Sequence, residues 1–257
     1  MTTVRHTWFM IGRQARNLLR EPIWIAIMLV QPMVWLLLYG QLFKNITRLG
    51  GFGTTSYITF LAPAIVVMNA FFSASWSGMS MVFDIERKFV ERFLATPASR
   101  LSLVLSQIVR SALTAALQGV IILVIALALG VRVHAGVLGW LVILAVAILV
   151  NAAFAGFSQG VALLVRREST VIALANFISL PLLFLSSTLL AETQMPHWMR
   201  VLSNFNPVNW GVRAARSVVL PGTDWGSVGS HLAYLFALSA VTAAFANWCF
   251  RVYKRSL

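Results

Sequence analysis

Uninterrupted apolar runs of about twenty residues recur along this chain, divided by short clusters of charge. Each run is long enough to cross a hydrocarbon core of about 30 Å as a helix. The pattern implies an all-α integral membrane protein with six transmembrane helices and excludes a soluble domain. Composition agrees: 59% of the 257 residues are apolar and only 11% charged, whereas soluble domains carry roughly a quarter charged residues. Too little charge remains to cover a water-facing surface.

The formal charge of +13 would, in a soluble protein, point to nucleic acid. Here the basic residues sit at the ends of apolar runs, where positive charge sets membrane orientation. No Gly/aromatic RNA-binding pattern accompanies them, so no nucleic-acid partner is expected. The lone cysteine, Cys249, excludes an internal disulfide and a Cys-based metal cluster.

Residues 1–22 are polar and hold no early apolar segment of a signal peptide, so the N-terminus is expected to be retained. Val4, Trp8, Ile11, Ala15, Leu18 and Leu19 fall on one helical face, and Arg13, Arg16, Asn17 and Arg20 lie opposite. That is the pattern of a helix lying in the membrane interface, in contact with lipid. It ends at Glu21-Pro22, since a residue before proline disfavours helix. Six spans follow, over 23–43, 57–83, 101–130, 137–165, 170–190 and 230–250. A kink is expected in the first at Gln31-Pro32. The whole chain, 1–257, reads as one transmembrane domain without a soluble appendage or internal repeat.

With both termini on one side, that side collects 14 of the 20 basic residues. The other side holds Lys44, Arg48, Arg132, Arg200, Arg213 and Arg216. Both termini are therefore expected in the cytoplasm, in a multi-pass protein of the cell membrane.

Three absences narrow the chemistry. A phosphate-binding loop requires Gly-Lys followed by Ser or Thr, and Lys44, Lys88 and Lys254 follow Phe, Arg and Tyr. Asp84 and Asp224 are far apart and on opposite expected sides, so no Asp-rich magnesium site is visible. No ionisable residue lies mid-span, where proton-coupled carriers place one. His6, His134, His197 and His231 lack ligand spacing and read as interfacial residues. The chain is thus expected to be no enzyme and to bind no catalytic group, metal or cofactor itself.

The most informative stretch runs from Asp84 to Arg100. Ile85, Phe89 and Phe93 repeat every fourth residue, while Asp84/Lys88 and Arg87/Glu91 are opposite charges at helical spacing. The stretch reads as a short amphipathic cytoplasmic helix continuous with the second span and ended by Thr96-Pro97. By its residues alone it is either a solvated loop helix or a docking element. Its Glu86, Arg87, Glu91, Arg92, Leu94, Thr96, Pro97, Ser99 and Arg100 resemble the "ER…E…L…TP.SR" string of type-2 permeases of ATP-binding-cassette exporters. The resemblance extends to the interfacial helix, the six spans and the Asn206-Pro207-Val208 motif before the last one. Within that family it is most similar to the daunorubicin-resistance and nodulation-factor permeases.

The resemblance implies a coupling helix, with Glu86, Arg87, Lys88, Glu91, Arg92, Thr96 and Pro97 docking on a separate phosphate-loop ATPase. It implies two ATPase copies carrying the ATP and Mg, and a second permease as homo- or heterodimer. It also implies a bacterial exporter of drug-like, lipid-like or glycolipid molecules, associated with drug efflux and antibiotic resistance. An ATP-independent carrier or channel is the alternative.

Residues 191–229 precede the last span, and Pro196 and Pro207 suit first helical positions, with Asn206 a good N-cap. Two short helices are expected there, either re-entrant and gating, with Asn206 and Pro207 at an external gate, or a plain interfacial cap. Within the spans, Asn69, Ser73 and Ser77 form an i, i+4 ladder, and Gly156 and Gly160 a small-xxx-small pair beside Asn151 and Gln159. These read as close packing or as pathway lining.

Overall fold

The structure is a computed structural model that describes residues 29–88 and 100–255. The interfacial helix with Arg13, Arg16 and Arg20 lies outside the described residues, as do Glu91, Arg92, Thr96 and Pro97. No strand occurs among the described residues.

Helix α1 spans Leu29–Leu42 and contains a wide π-helical turn at Trp35–Tyr39, so its irregularity falls about one turn beyond Pro32. Helices α2 (Tyr57–Ser75) and α3 (Ser77–Glu86) follow one another across a single break at Trp76. Next come α4 (Arg100–Ala128), α5 (Gly136–Val165) and α6 (Glu168–Phe184). Two short helices, α7 (His197–Ser203) and α8 (Pro207–Ser217), precede the long α9 (Trp225–Arg255).

Among the described residues, four helical stretches are long and apolar enough to cross a membrane: Tyr57–Glu86, Val104–Ala128, Gly136–Val165 and Trp225–Lys254. Two shorter apolar helices, Leu29–Leu42 and Glu168–Phe184, make up the rest of the apolar set. The six-span expectation is therefore supported at four spans. Residues 23–28 of the first expected span lie outside the described residues. The fifth expected span, 170–190, stops at Phe184, giving 17 helical residues or about 26 Å. It stops there because Ser186, Ser187 and Thr188 follow, and the Ser186 hydroxyl turns back to the Leu183 carbonyl at 2.6 Å. Short hydroxyl side chains compete with the helical ladder in this way.

The last helix begins five residues before the expected position, because Asp224 Oδ1 accepts from the N–H groups of Gly226 (3.0 Å) and Ser227 (3.2 Å). That carboxylate satisfies donors that a helix N-terminus leaves unpaired. Between α5 and α6 the turn is tight: Arg166 adopts φ 56, and its guanidinium carbon lies 4.6 Å from the centre of the Tyr253 ring.

The Tyr57–Glu86 stretch is the centre of the bundle, with 72% of its most apolar segment buried, against 28% for α9 at the periphery. Its Leu61, Ile65, Val67 and Phe71 join Ile143, Val146 and Val150 of α5 and Val208 and Val212 of α8 in the larger core. A second core, with Met81, Val104, Leu163, Phe250 and Tyr253, lies towards the end of the bundle that holds Arg166. Glycines permit the closest approaches. A Cβ at Gly160 would lie 2.5 Å from the Phe245 ring of α9, and one at Gly156 3.0 Å from the Thr242 hydroxyl. At Gly78 it would lie 2.6 Å from the carbonyl oxygen of Ser158, a backbone atom that cannot swing away.

Replacing Gly78 by Ala should therefore cost about 1–3 kcal/mol, the usual range for overpacking, and lower the melting temperature of the detergent-solubilised protein. Gly229, with nothing within 4 Å of its Cβ position, is the control: Gly229→Ala should leave the melt unchanged or raise it.

Candidate functional site

Two polar clusters stand out in a molecule otherwise packed with apolar side chains. The first occupies the end of the bundle formed by residues 185–224. Helix α8 starts at Pro207, whose fixed φ and absent N–H suit a first helical position. Asn206 caps it: its Oδ1 accepts from Val208 N at 2.9 Å, and its Nδ2 donates to the Leu182 carbonyl at 2.6 Å. One amide thus holds the start of α8 against the end of α6.

Asn209, Arg213 and Arg216 follow at i, i+4 and i+7, on one face of α8. Asn209 Oδ1 accepts from the backbone N (2.8 Å) and hydroxyl (2.6 Å) of Ser187, while its Nδ2 donates to the Ser203 carbonyl (3.1 Å) and Glu192 Oε1 (3.2 Å). Arg213 engages Glu192 through both Nε and Nη2, the second at 2.8 Å, and Nη2 also donates to Asn204 Oδ1 at 2.7 Å. This is the bidentate geometry that makes arginine–carboxylate pairs strong.

Arg216 goes deeper and is only 8% exposed. Its Nη2 donates to the Ser187 carbonyl at 2.8 Å, its Nε lies 3.3 Å from the Phe60 carbonyl, and its guanidinium carbon sits 3.5 Å from the centre of the Phe60 ring. Cation–π contact of this kind strengthens once desolvated. Burial pulls the Arg216 guanidinium down to about 9, with the charge of Glu192 pulling the other way. For Glu192, burial would raise the carboxyl, but hydrogen bonding and charge from Arg213 outweigh it and hold the group below its ordinary value. Sequence reasoning counts Arg213 and Arg216 among the basic residues of the external segment as orientation charges. The structure instead makes one an ion-pair partner and the other a buried core cation. The only available signal is the spacing of Asn209, Arg213 and Arg216 beside the acid Glu192.

The second cluster surrounds the break at Trp76. Ser77 Oγ donates to the Ala74 carbonyl at 2.7 Å, and Ser158 of α5 reaches across to do two things at once. Its hydroxyl donates to the Ser75 carbonyl at 2.7 Å and accepts from Gly78 N at 3.0 Å. A side chain from a neighbouring helix thereby supplies what the interrupted ladder lacks. Ser75 Oγ donates to the Phe71 carbonyl, and Ser179 of α6 donates to Ser75 Oγ at 3.0 Å. Sequence does not single out Ser75, Ser158 and Ser179, because their partnerships span 83 and 104 residues.

The remaining span residues are not gathered into one site. Asn69 Nδ2 donates to Gln118 Oε1 of α4 at 2.9 Å, and Asn151 Nδ2 donates to the Ala70 carbonyl at 3.0 Å. Ser73 is half-buried on α2, and Gly156 and Gly160 face α9. Gln159 is fully buried with neither amide atom paired.

At the other end, Asp84 accepts from Gln107 Nε2 at 2.6 Å. Helix α3 stops at Glu86, and Lys88 adopts φ 56. A helix continuous from the second span through Pro97 is thereby corrected: the chain turns at Arg87 and Lys88 before the rest of the charged segment. Among the described residues, no group of three His, Cys, Asp or Glu side chains could hold a metal ion.

Among the described residues, a helical bundle with several membrane-length apolar helices, and polar groups held mostly in mutual hydrogen bonds, defines an integral membrane protein. A model of the ABC-2 type transporter family matches residues 5–220, and the chain belongs to that family. It is 27% identical over 243 residues to a protein of Cyanophora paradoxa described as a transport permease, ycf38, covering 94% of this chain and 80% of the relative. The corresponding protein of Porphyra purpurea is 28% identical over 207 residues, 80% of this chain and 70% of its own. The daunorubicin resistance ABC transporter permease protein DrrB1 of Streptomyces coeruleorubidus is 23% identical over 254 residues, covering 98% and 86%. The chain is accordingly a transport permease, a membrane subunit of the ABC-2 type.

Two outcomes test the α8 cluster. Arg216→Met leaves the carbonyls of Phe60 and Ser187 without that donor, and should destabilise the protein by about 1–3 kcal/mol per orphaned group, read as a lower melting temperature in detergent. Because the folded-state pKa of Glu192 is lowered, its contribution is present above its unfolded value of about 4.3 and is lost as pH falls through the folded value. Melting curves between pH 7 and pH 3 should show an acid-induced loss of stability that is smaller in Glu192→Gln.

Proposed function

We propose that this permease forms the translocation pathway of an ATP-driven exporter and is coupled to a separate phosphate-loop ATPase, two copies of which bind the ATP and Mg. A second permease, identical or homologous, completes the complex in a bacterial cell membrane, with both termini in the cytoplasm. The cargo is an amphipathic drug-like or lipid-like molecule. One observation carries the reading: the most buried helical stretch, Tyr57–Glu86, runs from the core of the bundle directly into the charged segment that starts at Asp84.

A load applied to that segment reaches the core through ten residues of α3 and meets the break at Trp76. Below the break α3 can rotate as a short rigid rod. Above it, α2 is held by the core. The contact surface for the ATPase comprises Glu86, Arg87, Lys88, Glu91, Arg92, Thr96 and Pro97. Alternating charge suits it to a partner with complementary charges, since complementary potentials steer and register an interface. Opposite this end, Asn206 and Pro207 fix the start of α8 and so the position of the Glu192–Arg213 pair, which serves as an external gate whose opening requires that pair to part. Support for the exporter class comes from the DrrB1 relative, whose description names daunorubicin resistance.

The chain should co-purify with a phosphate-loop ATPase and confer on it vanadate-sensitive hydrolysis in proteoliposomes. Charge reversal at Glu86 together with Glu91 should reduce that hydrolysis or the assembly by about tenfold, the effect of losing a central interface contact. Unchanged assembly and hydrolysis would remove the coupling assignment. Transport by the purified chain alone, driven by an ion gradient, would replace the whole reading with that of an independent carrier.

A further inference from the structure

Between α5 and α6, at the level of the Trp76 break, lies a recess that is open on one side. Phe154, Phe157 and Val161 of α5 face Leu174 and Ile178 of α6 across it. The polar side chains in its lining are Ser75, Ser158 and Ser179.

The hydrogen bonds of these serines determine what the recess can recognise. A hydroxyl carries one proton and two acceptor lone pairs. Ser75 donates to the Phe71 carbonyl, Ser158 to the Ser75 carbonyl and Ser179 to Ser75 Oγ, so all three protons are engaged. Ser158 Oγ also accepts from Gly78 N, and Ser75 Oγ accepts from Ser179. Ser179 Oγ receives no hydrogen bond from the described residues. The polar end of the recess therefore presents lone pairs and no proton. It can accept from a hydroxyl, and it offers nothing to a carboxylate, phosphate, ester or ether. In so apolar a setting an uncharged donor is favoured over an ammonium, whose desolvation costs far more.

The walls narrow the class further. Phe154, Phe157, Val161, Leu174 and Ile178 suit an alkyl chain or a ring and do not suit an oligosaccharide, and the open side lets the rest of such a ligand lie outside the recess.

We propose that this recess is a binding site for a single apolar chain or ring that bears a hydroxyl, with the hydroxyl donating to Ser179 Oγ. It deepens the transport function by naming a substrate class, and rests on that reading only for the movement that binding sets off. Its position gives binding a consequence. The hydroxyl chain that closes its polar end is the same one that spans the break between α2 and α3. A ligand donating to Ser179 polarises that chain and wedges α6 against α5 at the point where α3 pivots.

The test uses the full chain, purified and reconstituted in phosphatidylcholine vesicles without nucleotide. Hexadecanol carrying a mid-chain diazirine is the probe, and its methyl ether, which lacks the proton, is the control. The alcohol should label peptides covering residues 154–161 and 171–179 saturably, and the ether at least tenfold less. Ser179→Ala should weaken labelling by the alcohol about fivefold, the range of one hydrogen bond, and leave the ether unchanged. Ala175→Trp, which fills the recess, should abolish labelling. Melting curves of both variants identify misfolding, and Ser179→Ala, the smaller change, decides the matter if the tryptophan variant does not fold.

Non-saturable labelling, equal labelling by alcohol and ether, or labelling confined to other helices would overturn the proposal. So would efficient cross-linking between two copies through cysteine placed at Leu174 together with loss of labelling, since a second subunit would then be the occupant. Because no nucleotide is involved, failure here leaves the coupling to an ATPase standing. Conversely, saturable alcohol binding by a chain that recruits no ATPase would remove only the exporter reading.

Discussion

Inside a membrane, a backbone carbonyl or N–H that leaves its helical partner must find another within the protein, because no water is there to replace it. Two places in this structure are organised by that requirement. At Trp76 the ladder of the central helix is interrupted, and Ser77 and Ser158 take up the carbonyls of Ala74 and Ser75 and the N–H of Gly78. Beyond Phe184 the chain leaves helix altogether, and α8 supplies the partners. Asn209 accepts from Ser187, Arg216 donates to the Ser187 carbonyl, and Asn206 donates to the Leu182 carbonyl. The irregular backbone is in both cases enclosed by protein and paired by side chains from another helix.

The pairing explains why a guanidinium is buried at all. Moving a cation out of water is expensive, and the cost is met only by several good partners. Arg216 has the carbonyls of Phe60 and Ser187, the Phe60 ring and the nearby charge of Glu192. Lysine could not replace it, since a compact ammonium lacks the planar fork that reaches separate carbonyls while stacking on a ring. The bidentate pair of Arg213 with Glu192 lies on the rim, about 30% exposed, and positions the acid that in turn supports Arg216. The two arginines therefore act as one unit. One anchors α8 into the core, and the other fixes the short helical turn Glu192–Gln194 beside it.

How much of this was legible in the sequence depends on the range of the interaction involved. The helices of α2, α4, α5 and α9 were readable because each depends on a continuous apolar run, a property of neighbours along the chain. The capping of α8 by Asn206 was readable for the same reason, since the cap and its donor are two residues apart. The break at Trp76 was not. Ser75-Trp-Ser-Gly78 interrupts neither hydropathy nor helix propensity strongly, and the residue that stabilises the break lies on α5. Arg216 was misread because a cation between two apolar segments has the same local signature as an orientation charge. Only its spacing from Asn209 and Arg213 marks it as part of a stripe. The fifth apolar run was read as a full span because hydropathy continues through Leu185, Leu189 and Leu190, whereas the intervening hydroxyls end the helix.

The break and the buried arginine mark two differently attached parts of the central helix. Helix α2 is held on one side by Tyr57, whose hydroxyl donates to the Leu189 carbonyl at 2.8 Å, and through Phe60 by Arg216. It is also tied to α4 by Asn69 and to α5 by Asn151. Below Trp76, Met81 and Val82 are fully buried in the second core, and the polar attachments are fewer. Gly78 abuts Ser158 through one hydroxyl, and the side-chain hydrogen bond between Asp84 and Gln107 joins α3 to α4. A hydroxyl bridge of this kind is worth about 1 kcal/mol net, small enough to exchange partners under load, while the clustered contacts around Arg216 are not. In the proposed coupling, motion entering at Glu86 would be absorbed first at the Ser75–Ser158 bridge. A rigid continuous helix would transmit it undiminished to the α8 end. On that proposal the break would make the central helix a pivot, and the strength of the hydroxyl bridge across it would set how readily the pivot turns.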